Sequence, residues 1–156
     1  VIEGAMIPFA GELRRIESGT GRRVIVEEDR LLVPGATDRI SARLQGFFKQ
    51  AARNALAEAS DHYASVLRLP YNRLTIRDTR SRWGSCSSAG GLMYSWRLIR
   101  CPPEVLRYVA AHEVAHLAEM NHSPAFWAQV ERIYGPYKAP RSWLRKHGND
   151  LHRYQF

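Results

Sequence analysis

Cysteine is scarce in this chain: Cys86 and Cys101 are the only two in 156 residues, too few for a disulfide framework and without the paired spacing of a cysteine zinc site. Both read as packed thiols, with a role at a functional site as the alternative for Cys86. No run of about 18 apolar residues occurs, so no membrane partner is expected. No repeat, low-complexity segment or interdomain linker interrupts the chain. No charged, apolar and small-residue series resembling a signal peptide precedes the folded part, and a cytoplasmic location is the expectation. Acidic residues are outnumbered, 15 to 23 basic, which leaves a net charge of +8 and admits a nucleic-acid partner. The arginines, however, are scattered from Arg14 to Arg153 with no dense run, and arginine also serves ordinary ion pairing. A length of 156 residues suffices to bury one core.

The chemistry concentrates between Cys101 and Trp127, in CPPEVLRYVAAHEVAHLAEMNHSPAFW. Pro102 and Pro103 suit a first helical turn that needs no amide donors, and Glu104 favours its positive end. Leu106, Val109, Ala110, Val114, Leu117 and Met120 give apolar positions on more than one side, which predicts a helix enclosed by protein. On that helix His112 and His116 are four residues apart and share a face, with Glu113 about 100° round from His112. Two imidazoles aimed at one spot with a carboxylate beside them is the arrangement a zinc-activated water needs. Asn121 reads as the helix stop, and Ser123 with Pro124 as the cap and first residue of a new helix. His122 therefore falls in the turn where the chain doubles back, as a third ligand for one zinc ion.

Upstream, residues 1–10 carry no clear period and read as a tail. Leu13 to Glu17, Val24 to Glu27 and Leu31 to Val33 read as the strands of a small meander, so that residues 1–36 form a tail and meander ahead of a domain over 37–156, the whole being one folded unit. Thr37 or Asp38 is placed to cap a long helix whose apolar positions recur at three and four residues until Pro70. His62, near that stripe, reads as structural. Leu74 to Arg77 and Leu92 to Arg97 are extended, separated by TRSRWGSCSSAGG, whose glycine and serine read as loop and hairpin turn. Strand, loop, strand and metal helix in that order would set a sheet edge beside the metal, where an extended peptide could add itself as a strand. After His122 an amphipathic helix bearing Phe126, Trp127, Val130, Ile133 and Tyr134 ends at Gly135 and Pro136, its aromatic side expected to pack on the metal helix. A last helix from about Pro140 to His147 stops at Gly148 and leaves a basic tail, with His147 and His152 expected in solvent.

Two segments together, SRWGSCSSAGGLMYSWRL and PPEVLRYVAAHEVAHLAEMNHSPAFWAQV, resemble the YgjP-like metallopeptidase family, related to the SprT-like zincins. The likeness covers residues 70–150 strongly and the meander and first helix loosely. It implies a compact zincin-like α+β domain with a small antiparallel sheet, a long N-terminal helix and the metal-binding H-E-x-x-H helix. It implies zinc-dependent peptide hydrolysis, with His112, His116 and His122 matching the family's metal ligands and Glu113 its base. Metzincins share the offset to the third histidine but have a glycine at the position of Glu119 and a later methionine turn, and no methionine follows Met120 here.

The expected reaction is amide hydrolysis of a peptide or unfolded protein, with Glu113 moving the proton. Tyr94, Arg82, Tyr137 and Arg141 are candidates to stabilise the oxyanion by residue type and chain position. Glu119 is a candidate acceptor for a histidine N–H, or else a solvated carboxylate at the helix end. Trp83 is expected to pack the loop under the site. Two other readings stay open: a basic nucleic-acid-associated protein, including a protease directed to DNA-bound substrates, and a metal-dependent hydrolase of a phosphate ester with Arg80, Arg82 or Arg97 holding the anion.

Overall fold

The computed structural model describes residues 1–152 and Phe156; residues 153–155, within the basic tail, lie outside the described residues. A first sheet is built from β1 (Met6–Phe9), β2 (Glu12–Gly19), β3 (Ile25–Val26) and β4 (Arg30–Pro34). Its order is β1-β2-β4-β3, with β2 and β4 parallel and the other two pairs antiparallel. It is therefore not a meander. β4 carries the buried Leu31 and Val33 and takes the interior place, while Ile25 and Val26 of β3 are exposed and go to the edge. The expected tail is also a strand: Ile7 of β1 has no exposed surface, and Phe9 stacks on Phe48 with ring centroids 5.3 Å apart.

The long helix α1 (Ile40–Leu67) is preceded by a 3-10 turn over Thr37–Arg39, and neither Thr37 nor Asp38 caps it through a side chain. Ile40, Leu44, Phe48, Ala52, Leu56, Ala59, Tyr63 and Leu67 are its buried stripe, spaced by three and four. Arg68 ends it in the left-handed region, φ 63°, its N–H donating to the Ala64 carbonyl, and Pro70 bars continuation.

The second sheet comprises β5 (Arg73–Arg77), β6 (Gly84–Cys86) and β7 (Gly91–Ser95) in the order β5-β7-β6. It is mixed rather than antiparallel, since β5 pairs with β7 in parallel and only β6 and β7 form a hairpin. The segment read as loop thus contains the edge strand β6. Its turn is closed by the Ser87 hydroxyl, which accepts from Gly91 N at 2.9 Å, and by Gly90 at φ 89°. β7 ends sooner than expected, at Ser95, because Trp96–Arg100 wind into a 3-10 helix capped by the Ser95 hydroxyl.

That short helix ties the chain together. Arg97 and Arg100 are buried, and both donate to the Leu151 carbonyl, at 3.0 and 2.8 Å. Arg97 also donates to Asp78 at 2.8 Å and Arg100 to the Pro8 carbonyl at 3.4 Å. Three helices complete the fold: α2 (Pro103–Ala115), α3 (Pro124–Tyr134) and α4 (Lys138–His147), followed by a 3-10 turn over Gly148–His152. α2 lies against α1, α3, α4 and β6, with Ala110 and Ala111 fully buried where a larger residue would hold the elements apart. No helix among the described residues is long and apolar enough to cross a membrane.

Two outcomes follow from this packing. Ile7→Ala should destabilise the protein by about 2–5 kcal/mol in denaturant unfolding, since it empties a core position, whereas a tail residue would leave the midpoint unmoved. Burial would raise the Asp78 carboxyl, but the hydrogen bond and charge of Arg97, aided by the charges of His152 and Arg80, hold it below its ordinary value. A carboxyl depressed on folding stabilises the fold above its unfolded pKa and ceases to as pH falls through its folded one. Unfolding midpoints measured from about pH 5 downward should therefore fall less steeply for Asp78→Asn than for the native chain.

Candidate metal centre

The site is built at the C-terminal end of α2. His112 and Glu113 lie in the last helical turn, and His116 is the residue that caps it. Beyond His116 the helix does not run on to Asn121 as its sequence suggests. It tightens into turns in which Leu117 and Ala118 donate to carbonyls three residues back, and the chain reverses through His122. Ser123 then caps α3, its hydroxyl accepting from Phe126 N at 3.3 Å, as the Ser-Pro pair suggests.

This reversal brings His112, His116 and His122 together, with one ring nitrogen of each within 4.8 Å of the others. The Nε2 atoms of His112 and His122 are 3.2 Å apart. The second ring nitrogens of His116 and His112 have neighbours of their own. The Nδ1–H of His116 donates to the Glu119 backbone carbonyl at 2.9 Å, which fixes the tautomer that leaves Nε2 free to bind. It is thus the main chain of Glu119, not its carboxylate, that serves as acceptor. His112 Nδ1 faces the Tyr108 hydroxyl at 3.4 Å.

The packing behind these rings is aromatic. Phe126, fully buried, touches all three imidazoles, with centroids 4.9, 4.3 and 5.0 Å from His112, His116 and His122. Trp127 lies 5.5 Å from the His112 ring and stacks on Tyr137 at 4.9 Å. The amphipathic pattern of α3 foretold this contact, though not that one phenyl ring would meet every histidine. Burial and the mutual charge of the imidazoles push His112 down to about 3, and burial lowers His116 as well, so these two rings are held in the neutral form that can bind a metal ion.

Glu113 is buried, and this burial pushes its carboxyl up to about 8 against the lowering charge of Arg82. β6 passes directly over it. A Cβ on Gly84 would come within 2.9 Å of Glu113 Cγ and 3.1 Å of both Glu113 Oε2 and the Met93 carbonyl. Glycine in the R-W-G-S-C run is therefore a requirement of the carboxylate's position, a contact between residues 29 apart that sequence spacing does not display. Glu113 and His112 open on a cleft of about 300 Å³, whose other walls include Arg82, Trp83, Tyr108 and Arg141.

Other residues singled out in the sequence fall elsewhere. Tyr94 is not an oxyanion donor: it is fully buried, its hydroxyl 2.9 Å from Ser60 Oγ and donating to the Ala110 carbonyl at 3.4 Å. Arg97, weighed for an anion, is spent on Asp78 and Leu151. Cys86 is half-buried, and burial followed by the charge of Glu113 pushes its thiol up to about 11, which makes it a packed thiol. Trp83 stacks on His152 at 4.8 Å, so His152 is not in free solvent and Trp83 walls the cleft rather than underlying the site. His62 and His147 lie apart from the cluster, both exposed.

Three imidazole nitrogens that converge in this way can hold a single metal ion, and a carboxylate beside them can move a proton. The family model described as the YgjP-like metallopeptidase domain matches residues 2–147. Among solved structures, the crystal structure of the metallopeptidase zymogen of Pyrococcus abyssi abylysin resembles this fold with a TM-score of 0.52. It shares 21% identity, and the alignment covers 60% of this chain and 93% of that one. No curated protein matches the sequence. With nearly its whole length inside the family model, and three converging histidines that could hold a metal ion, the chain belongs to the YgjP-like metallopeptidase family.

Proposed function

We propose that this protein binds one zinc ion through His112, His116 and His122 and hydrolyses peptide bonds in peptides or unfolded proteins, with Glu113 as the general base. The observation that carries the reading is the 3.2 Å separation of the His112 and His122 Nε2 atoms. Two nitrogens sharing a tetrahedral ion at about 2.0–2.1 Å are about 3.3 Å apart, so these rings need almost no movement to share zinc. An all-histidine donor set with one position left open suits catalytic zinc in particular. Zinc held there supplies Lewis acidity, which activates water and polarises the scissile carbonyl.

The chain's own residues do the rest. Glu113 takes the proton of the attacking water on its carboxylate and passes it to the departing amine. Its buried position, with Gly84 pressed against it, fixes where that proton is taken up and raises the basicity of the carboxylate toward neutral pH. β6 is an edge strand beside Glu113, and its outer side pairs with no strand among the described residues. An extended substrate can lie along it, bonded through its main chain. Arg82 and Arg141 add positive charge to the wall of the same cleft.

Protein purified without added metal should carry close to one equivalent of zinc, measured by elemental analysis, and chelation should abolish cleavage of an unfolded protein until zinc is restored. Glu113→Gln should keep the zinc and lose roughly 10²–10⁴ in turnover. Native-like turnover by that variant at equal zinc content would remove Glu113 from its role. His122→Ala should bind zinc more weakly by competition with a chromogenic chelator.

Gly84→Ala probes the neighbouring contact. It should leave zinc stoichiometry intact while lowering turnover on the order of a hundredfold through displacement of Glu113, read as kcat at saturating substrate.

A further inference from the structure

The cleft that Glu113 and His112 open on is walled by unlike materials. Trp83, Tyr108, Val109 and Leu144 give it aromatic and aliphatic sides, and Arg82 and Arg141 are its two cationic members. Both arginines are exposed, and neither guanidinium has a carboxylate partner among the described residues. Their positions are nonetheless built. The Arg141 guanidinium lies over the Trp127 ring at 4.6 Å, and Trp127 is itself stacked on Tyr137 and set against His112. Arg82 belongs to the segment leading into β6, where the Thr79 hydroxyl donates to its carbonyl at 2.7 Å. The charge of Arg82 acts on Glu113 and that of Arg141 on Tyr108 and His112, so both reach the reacting end of the cleft.

On the other side of the centre the surroundings differ. A second cleft of about 240 Å³ runs past His116 between Leu69, Pro70, Leu117, Met120 and the β6–β7 turn, and its lining holds no Arg, Lys, Asp or Glu. A peptide laid along β6 across Glu113 therefore meets fixed positive charge on one side of the scissile bond and neutral surface on the other.

We infer that the cleft holding Arg82 and Arg141 selects a carboxylate, so that the preferred substrate carries an acidic side chain, or its own chain-terminal carboxylate, beside the scissile bond on that side. The inference rests on the peptidase reading above and names its substrate class. Guanidinium groups suit carboxylates because their donors match two oxygens at once. A lysine or arginine side chain would meet two like charges in the same space. Glu113, the one acid lining the cleft, is buried at the inner end beside His112, whereas the arginines are exposed.

The test uses the zinc-loaded full chain and quenched fluorescent peptides that differ only by Glu, Gln or Lys next to the cleaved bond, with a further pair bearing a free or an amidated C-terminus. Native protein should cleave a carboxylate-bearing peptide with kcat/KM about tenfold above its Gln or amidated counterpart, with Lys slowest. Arg82→Gln combined with Arg141→Gln should erase that ratio. A side-chain carboxylate is the ligand if the internal Glu peptide shows the advantage, and a chain terminus if only the free-ended peptide does. Equal turnover of charged and neutral peptides, or a preference that survives the double substitution, would overturn the inference. The same peptides titrated into zinc-loaded Glu113→Gln, followed by tryptophan fluorescence, separate the two readings. Selective carboxylate binding with no cleavage by native protein sinks the hydrolase and leaves the cleft; cleavage without selectivity does the reverse.

Discussion

A carboxylate removed from water is held at a cost of several kcal/mol, and it takes up a proton unless its neighbours oppose that. Glu113 is such a group, and much of the fold is arranged around where it sits. The end of α2 must lie against β6 closely enough that Gly84 has no room for a side chain. β6 can occupy that place only if β7 fixes it, through the Gly84, Ser85 and Cys86 pairings. β7 in turn is anchored from behind, where the Tyr94 hydroxyl meets Ser60 of α1 and the Ala110 carbonyl of α2. The buried hydroxyl that looked like a reagent in the sequence is therefore a spacer between α1, α2 and the strand that carries β6.

The three converging histidines are organised by a different force. Besides His116 Nδ1 and the Tyr108 contact, what holds these imidazoles is the ring of Phe126 and the stack that begins at Trp127. Close-packed aromatics resist small displacements because each lost contact forfeits dispersion energy that nothing else replaces. Three rings with centroids 4.8 to 5.2 Å apart, backed by one phenyl group, form one packed cluster. A cluster held this closely by its surroundings suits a metal ion, since packing rather than the ion does much of the ordering.

The parts of this arrangement that were legible in the sequence are those encoded locally. The i, i+4 histidines, the Ser-Pro start of α3 and the apolar period of α1 are each set by neighbours a few residues apart, and each is found in the structure. What escaped depends on pairing across long separations. Met6–Phe9 is too short to show a period, and only its partner β2 and the stacking of Phe9 on Phe48 make it a strand. β6 hides among glycine and serine because its role is closeness rather than burial. The exchange of places between β3 and β4 puts the buried Leu31 and Val33 inside and the exposed Ile25 and Val26 at the edge, although both strands are apolar, and an expectation of sequential neighbours passes it over. The early end of α2 had no breaker to announce it, since the turn after His116 is held by carbonyls at Glu113, Val114 and Ala115.

Composition raises a last question, because a net charge of +8 invites a polyanion as the partner. The structure gives several of the arginines other work. Arg97 and Arg100 are buried and gather Pro8, Asp78 and Leu151, residues far apart in the chain, around one 3-10 helix. Arg30 pairs with both Glu17 and Glu27 and so ties β4 to β2 and to the chain beyond β3. Lysine could not replace these, since a single ammonium cannot span partners on two sides as a planar fork does. For Arg30, Arg97 and Arg100 the use of arginine rather than lysine is therefore intelligible as cross-linking within a small domain. Arg82 and Arg141 differ from this group: exposed, without carboxylate partners among the described residues, and set on the wall of the cleft beside Glu113, they bring the charge excess to bear where a substrate would lie.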